Sequence, residues 1–149
     1  MRRRRRAREF ALKILYQINI TGEGYKESLA TFWRSHKTSQ PVKEFATLLV
    51  TGTMENIAKI NEIISKYAMN WQIKRMAVVD RNILRMGTYE LLYLPDIPPK
   101  VSINEAVDIA KKYSDPQSGK FVNGILDKIH QMELAKRVES QMKPRLTER

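Results

Sequence analysis

An all-α bundle of about six or seven helices is the fold class predicted by this 149-residue sequence. Apolar residues recur at i, i+3, i+4 and i+7 through most of its length, the period of one helix face. No stretch shows the strict alternation of a half-buried strand, and no repeat or long linker interrupts the pattern. The Gly- and Pro-containing breaks are short, which predicts brief connections between packed helices. A chain of this length buries roughly two thirds of its unfolded surface, so the expectation is one helical domain spanning 1–149, with a basic arm at 1–6 and a basic tail from about 135.

The first stripe comprises Ala7, Phe10, Ala11, Ile14, Leu15 and Ile18 and predicts a helix to about Thr21, ended by Gly22 and Gly24. Tyr25, Leu29, Phe32 and Trp33 form a shorter one. Ser39-Gln40-Pro41 is a start signal, because proline in the first turn forfeits no intrahelical hydrogen bond. The stripe that follows, Phe45, Leu48 and Leu49, continues past Gly52 to Ile57, Ile60 and Ile64. Glycine there costs about 1 kcal/mol against alanine, which implies either close helix packing or a break into two segments. A helix over about Met76 to Leu94, with Val79, Ile83, Met86 and Leu91 inward, stops at Pro95, Pro98 and Pro99.

In VSINEAVDIAKKY, Ser102 and Glu105 fit an S-x-x-E capping box, in which serine and glutamate each satisfy the other's backbone N–H. SDPQSG has the composition of a turn, and Phe121, Val122, Ile125, Leu126, Ile129 and Met132 then begin the last helix.

The formal net charge is +11, and most of it sits at the ends: residues 2–8 carry +6 and residues 134–149 carry +3, leaving +2 for the body. A nearly neutral body with basic ends suits a polyanion. The apolar residues after the arginine run are interrupted at helical spacing by Glu9, Lys13, Gln17 and Asn19, so no secretory signal is expected. No window reaches the eighteen apolar residues of a membrane span, so the expected location is cytoplasmic. With no cysteine, disulfides, thiolate zinc sites and cysteine nucleophiles are excluded. His36 and His130 have no companion at metal-ligand spacing, and no phosphate loop, dinucleotide fingerprint or hydrolase motif is present. The expectation is therefore no enzyme, no cofactor and no metal.

Two groups of residues could hold nucleic acid. Arg2, Arg3, Arg4, Arg5, Arg6 and Arg8 are expected to be disordered in the free protein, because a block of like charges repels itself. Their guanidinium groups can fork onto phosphates and stack on bases. At 100° per residue, Arg5, Arg8, Leu12 and Tyr16 share a ridge outside the core stripe, where Tyr16 either stacks a base or covers a helix seam. Lys111, Lys112, Tyr113, Lys120 and Phe121 form a second basic-aromatic group around a turn whose following helix offers free N–H groups. Individually, these lysines also suit a solvated face and Phe121 a core stripe.

Three stretches together, RRRRRAREFALKILYQ, DRNILRMGTYEL and VSINEAVDIAKKYSDPQSGKFVNGILDKI, resemble the NusB family of bacterial transcription antitermination factors over all but the last dozen or so residues. The resemblance implies a non-enzymatic helical protein that binds single-stranded boxA RNA of ribosomal-RNA leaders together with NusE, a small-subunit ribosomal protein, in the RNA polymerase antitermination complex. It implies RNA contacts from the arginines through Arg8 and from Lys111, Lys112, Gln117, Lys120, Phe121 and Asn123, with Tyr16 and Asp80 near NusE. Two departures from the family pattern stand out. The unbroken arginine row is longer than usual, which raises the electrostatic share of affinity, and Gln117 stands where relatives carry an acidic residue, which favours phosphate.

Two other functions are compatible with parts of the pattern. One is the NusB-like RNA-targeting domain of an RNA-cytosine methyltransferase, which the length of the chain is expected to disfavour. The other is a self-associating structural protein. A homodimer is compatible with the antitermination reading as well.

Overall fold

The computed structural model describes residues 2–69 and 72–147, with side chains at 3–69 and 72–140. The side chain of Arg2 and those of the tail beyond residue 140 lie outside the described residues. Seven α-helices follow in order among them: α1 (Arg2–Thr21), α2 (Tyr25–Ser35), α3 (Gln40–Glu55), α4 (Ile57–Tyr67), α5 (Val78–Tyr93), α6 (Pro99–Tyr113) and α7 (Pro116–Thr147). A 3₁₀ turn, Ile73–Arg75, precedes α5. No strand occurs among the described residues.

The central element is α5, which packs against α1, α3, α4, α6 and α7. Asn82, Ile83, Leu84, Met86, Gly87, Thr88, Tyr89, Glu90 and Leu92 are all buried, so apolar and small residues, with Asn82 and the paired Glu90, face neighbours around nearly its whole circumference. The predicted stripe of α1 is buried as expected, and Gly22 ends that helix at φ 71°, with its N–H on the carbonyl of Ile18 at 2.9 Å.

Several expectations are corrected. The arginine run is not a disordered arm; α1 begins at Arg2. Helix geometry spreads the charges around the axis, and some of them find carboxylates or rings, which offsets their mutual repulsion. At Gly52 the two alternatives both hold in part. A Cβ there would overlap the Tyr89 ring, so the glycine admits α5 against α3, and the chain breaks four residues later at Asn56. The Asn56 side-chain N–H and backbone N–H both reach the Gly52 carbonyl, at 2.8 and 3.2 Å, a local bond that competes with helix continuation.

The capping box is overturned. Pro98 and Pro99 start α6 four residues earlier, so Ser102 lies inside the helix and donates to Glu90 Oε1 at 2.9 Å, while Glu105 faces α1. The last helix also starts earlier than predicted, at Pro116. Asp115 Oδ1 accepts from the Ser118 N–H at 2.9 Å, as an N-cap carboxylate does, with proline in the first turn. SDPQSG is thus a cap and a first helical turn.

Candidate nucleic-acid interface

Among the described side chains, Arg3, Arg4, Arg5, Arg6 and Arg8 spread around the axis of the first two turns of α1 and meet different neighbours. Arg8 points inward and is 2% exposed. Its Nε and Nη2 donate to the two oxygens of Glu90 at 2.8 and 2.7 Å, and its Nη1 reaches Glu105 Oε1 at 3.4 Å. Arg5 lies above it, half-buried, with a forked contact to Glu105 at 2.7 and 2.6 Å and a third bond to Asp108 at 2.9 Å. One turn further along α1, Glu9 accepts from Lys112 Nζ at 2.8 Å.

These contacts stitch the front half of α1 to the rear half of α6. The hydrogen bond from Arg5, reinforced by both guanidinium charges, holds the Glu105 carboxyl below its usual range despite burial. Reciprocally, Glu105 and Asp108 push the Arg5 guanidinium upward.

The predicted ridge Arg5, Arg8, Leu12, Tyr16 is therefore largely a seam. Arg8 and Leu12 are buried, Arg5 is committed to two carboxylates, and only Tyr16, 44% exposed, faces solvent. The interior position of Arg8 removes it from the surface expected to touch RNA. What the sequence did not show is that Glu90, Glu105 and Asp108 lie across from these arginines on neighbouring helices. Arg8 sits at the edge of the stripe containing Ala11 and Leu15, and that position was the available signal for a buried partner such as Glu90.

At the other end of the seam, Lys111 and Lys112 diverge because adjacent helical residues point 100° apart. Lys112 turns to α1, whereas the stem of Lys111 lies over Gly119 on α7. Tyr113 shares a shallow groove with Leu12, Tyr16 and Val79. Asp80, at the start of α5, accepts from Ser118 Oγ at 3.1 Å, and Ser118 Oγ lies 2.9 Å from Ser114 Oγ. Asp80 thereby braces the α6–α7 turn from beneath. Gln117, Lys120 and Asn123 are exposed on the first turns of α7, and Phe121 is half-buried against the core.

Folding thus places the stretch of α1 from Glu9 to Tyr16 beside the lysine-bordered turn, while Arg5 is tied further up α6 and Arg3 and Arg4 face α3. The cations between them are partly matched by Glu9, Glu105 and Asp108. Arg3, Arg4, Arg6, Lys13, Lys111 and Lys120 are exposed, and none forms an ion pair among the described residues. Two of these guanidinium groups rest on rings, Arg4 over Phe45 at 4.3 Å and Arg6 over Phe10 at 5.0 Å. No cluster of three potential metal ligands and no helix long and apolar enough to cross a membrane occurs among the described residues.

Fold and site together define a class: a helical bundle whose first helix, tied along α6 by ion pairs, presents unmatched cations beside an inter-helix turn. The chain belongs to the NusB family, whose model matches residues 5–131. This is a family of non-enzymatic transcription antitermination factors. The transcription antitermination protein NusB of Thermodesulfovibrio yellowstonii is 45% identical, the match covering 89% of this chain and 94% of that protein. Its counterpart from Pelotomaculum thermopropionicum is 46% identical, with 85% and 88% covered. Among solved structures, T. maritima NusB is 42% identical with a TM-score of 0.79, covering 86% of this chain and 90% of its own. A NusB chain crystallised with NusE and double-stranded RNA is 34% identical with a TM-score of 0.81, covering 89% and 98%.

Proposed function

We propose that this chain is a transcription antitermination factor that binds the boxA segment of ribosomal-RNA leader transcripts as an unpaired strand, with NusE, in the RNA polymerase antitermination complex. The observation that supports the reading is the meeting of α1 with the end of α6 at the lysine-bordered turn, where Glu9 holds Lys112 and Lys13, without an ion pair among the described residues, shares a groove with Tyr16 and Tyr113. Phosphates would lie along Arg2, Arg3, Arg4 and Arg6, with Lys111, Lys112 and Lys120 at the far end. Arg5 contributes a part of its fork, and Arg8 acts from below by fixing α1 against α5 and α6. Gln117 and Asn123 offer amide groups to base edges, while Tyr16 and Phe121 offer ring surface. NusE would complete the surface near Tyr16 and Asp80.

The test is photocrosslinking of the protein to a boxA oligonucleotide, with and without NusE, followed by mapping of the adducts and measurement of oligomeric state. Adducts on α1 and on residues 111–123, with NusE extending them towards Tyr16, are expected. Adducts confined to other faces would overturn the reading. A homodimer closed over this same face would dissociate as RNA binds.

A further inference from the structure

On the opposite flank of α1 from α6, Arg3 and Arg4 border a groove of about 480 Å³ whose other walls are Pro41, Glu44, Phe45 and Leu48 of α3. Its chemistry is mixed in an informative way. Leu48 is 43% exposed, an uncovered apolar surface at the groove's bed. The Arg4 guanidinium is already held over the Phe45 ring, so its plane is oriented and part of its ordering cost is spent before any ligand arrives. Arg3 stands at the rim without a carboxylate partner among the described residues. Glu44 supplies one carboxylate, which among the described residues accepts a side-chain hydrogen bond from the exposed Gln40 amide at 3.3 Å.

We propose that this groove binds one nucleotide of the transcript flanking the boxA core, with a preference for guanine; the inference rests on the RNA-binding reading above. The charge at the rim and its continuity with the cationic turns of α1 select a polyanion. An apolar bed beside an ordered guanidinium plane selects a flat ring attached to it. Glu44 sets the base. Guanine offers N1–H and an exocyclic amine side by side, matching both carboxylate oxygens, whereas uracil offers a single N3–H between two carbonyls that the carboxylate repels. The strand would pass from the α6–α7 turn over the first turn of α1 and end on α3, so the arginine row serves both sides of the helix. The length of that row then has a physical use, since residues 100° apart can follow a strand around the helix end.

The experiment compares binding of the boxA core alone with the same core extended by two nucleotides at one end or the other, carrying guanine or uracil. A guanine extension at one end is expected to tighten binding about five- to tenfold over uracil. Glu44→Ala should erase the guanine–uracil difference, and Leu48→Ser should erase the gain from extension, both leaving core binding unchanged. Both positions are exposed, so the fold is retained. Failure of the core RNA to bind would overturn the underlying function. Core binding with no gain at either end would overturn this inference alone. A dimer that Leu48→Ser dissociates, with no effect on the gain from extension, would assign the groove to a second copy and also overturn it.

Discussion

Arg8 carries the strongest energetic argument at the scale of single residues. A buried guanidinium bonded to two buried carboxylates has exchanged its hydration for those bonds, so removing either partner strands a charge in the interior. Arg8→Ala or Glu90→Ala should each lower stability by about 3–5 kcal/mol, read from chemical denaturation. The paired replacement Arg8→Met with Glu90→Leu should recover most of that loss. If Arg8→Ala instead weakened RNA binding with stability intact, its assignment to the interior tie would fail. Glu105 adds a pH dependence. Its folded pKa lies below the unfolded value near 4.5, so its contribution to stability is complete above that value and is lost as pH falls through the lower folded pKa. Glu105→Gln should therefore be less stable at neutral pH and show a shallower acid transition, as followed by circular dichroism.

Among the helices, three glycines predict three different outcomes because their surroundings differ. At Gly52 a methyl group meets the Tyr89 ring, which is buried and stacked on Tyr93 at 5.3 Å and cannot retreat. Gly52→Ala should cost about 1–3 kcal/mol by forcing α3 from α5. At Gly119 the obstruction is the flexible stem of Lys111, so Gly119→Ala should cost little stability while displacing that lysine from the turn. Gly124 has open space and lies within α7, so Gly124→Ala should stabilise by up to about 1 kcal/mol. Thermal melts of the three variants would check the order. The same contrast explains what the sequence made legible. Periodicity marks which residues face inward, and it located the helices and the core stripe of α1. It carries no information on what lies across the interface, so the Tyr89 ring at Gly52 and the carboxylates around Arg8 were hidden. Cap signals are also ambiguous when two compete: Pro98-Pro99 won over Ser102, and Asp115-Pro116 over Phe121, because a proline-fixed φ begins a helix where it stands.

For the whole molecule, the number of basic residues overstates the charge available to RNA. The 27 lysines and arginines include Arg5, Arg8 and Lys112, already paired with Glu9, Glu90, Glu105 and Asp108, and these cannot release further counterions in proportion to their number. Binding of a boxA oligonucleotide should weaken as salt rises, with log affinity falling by about 0.7 per neutralised phosphate for each tenfold increase in salt. Arg3→Gln with Arg6→Gln, two cations without ion-pair partners among the described residues, should reduce the magnitude of that slope by about 1.4. Arg5→Gln should change it by less, since Glu105 and Asp108 already share its charge, and Glu9→Gln should steepen it by releasing Lys112. Fluorescence anisotropy across a salt series separates these cases. Equal slope changes for Arg5→Gln and for each of the unpaired arginines would mean that RNA displaces the carboxylates from Arg5, and the seam between α1 and α6 would have to open during binding.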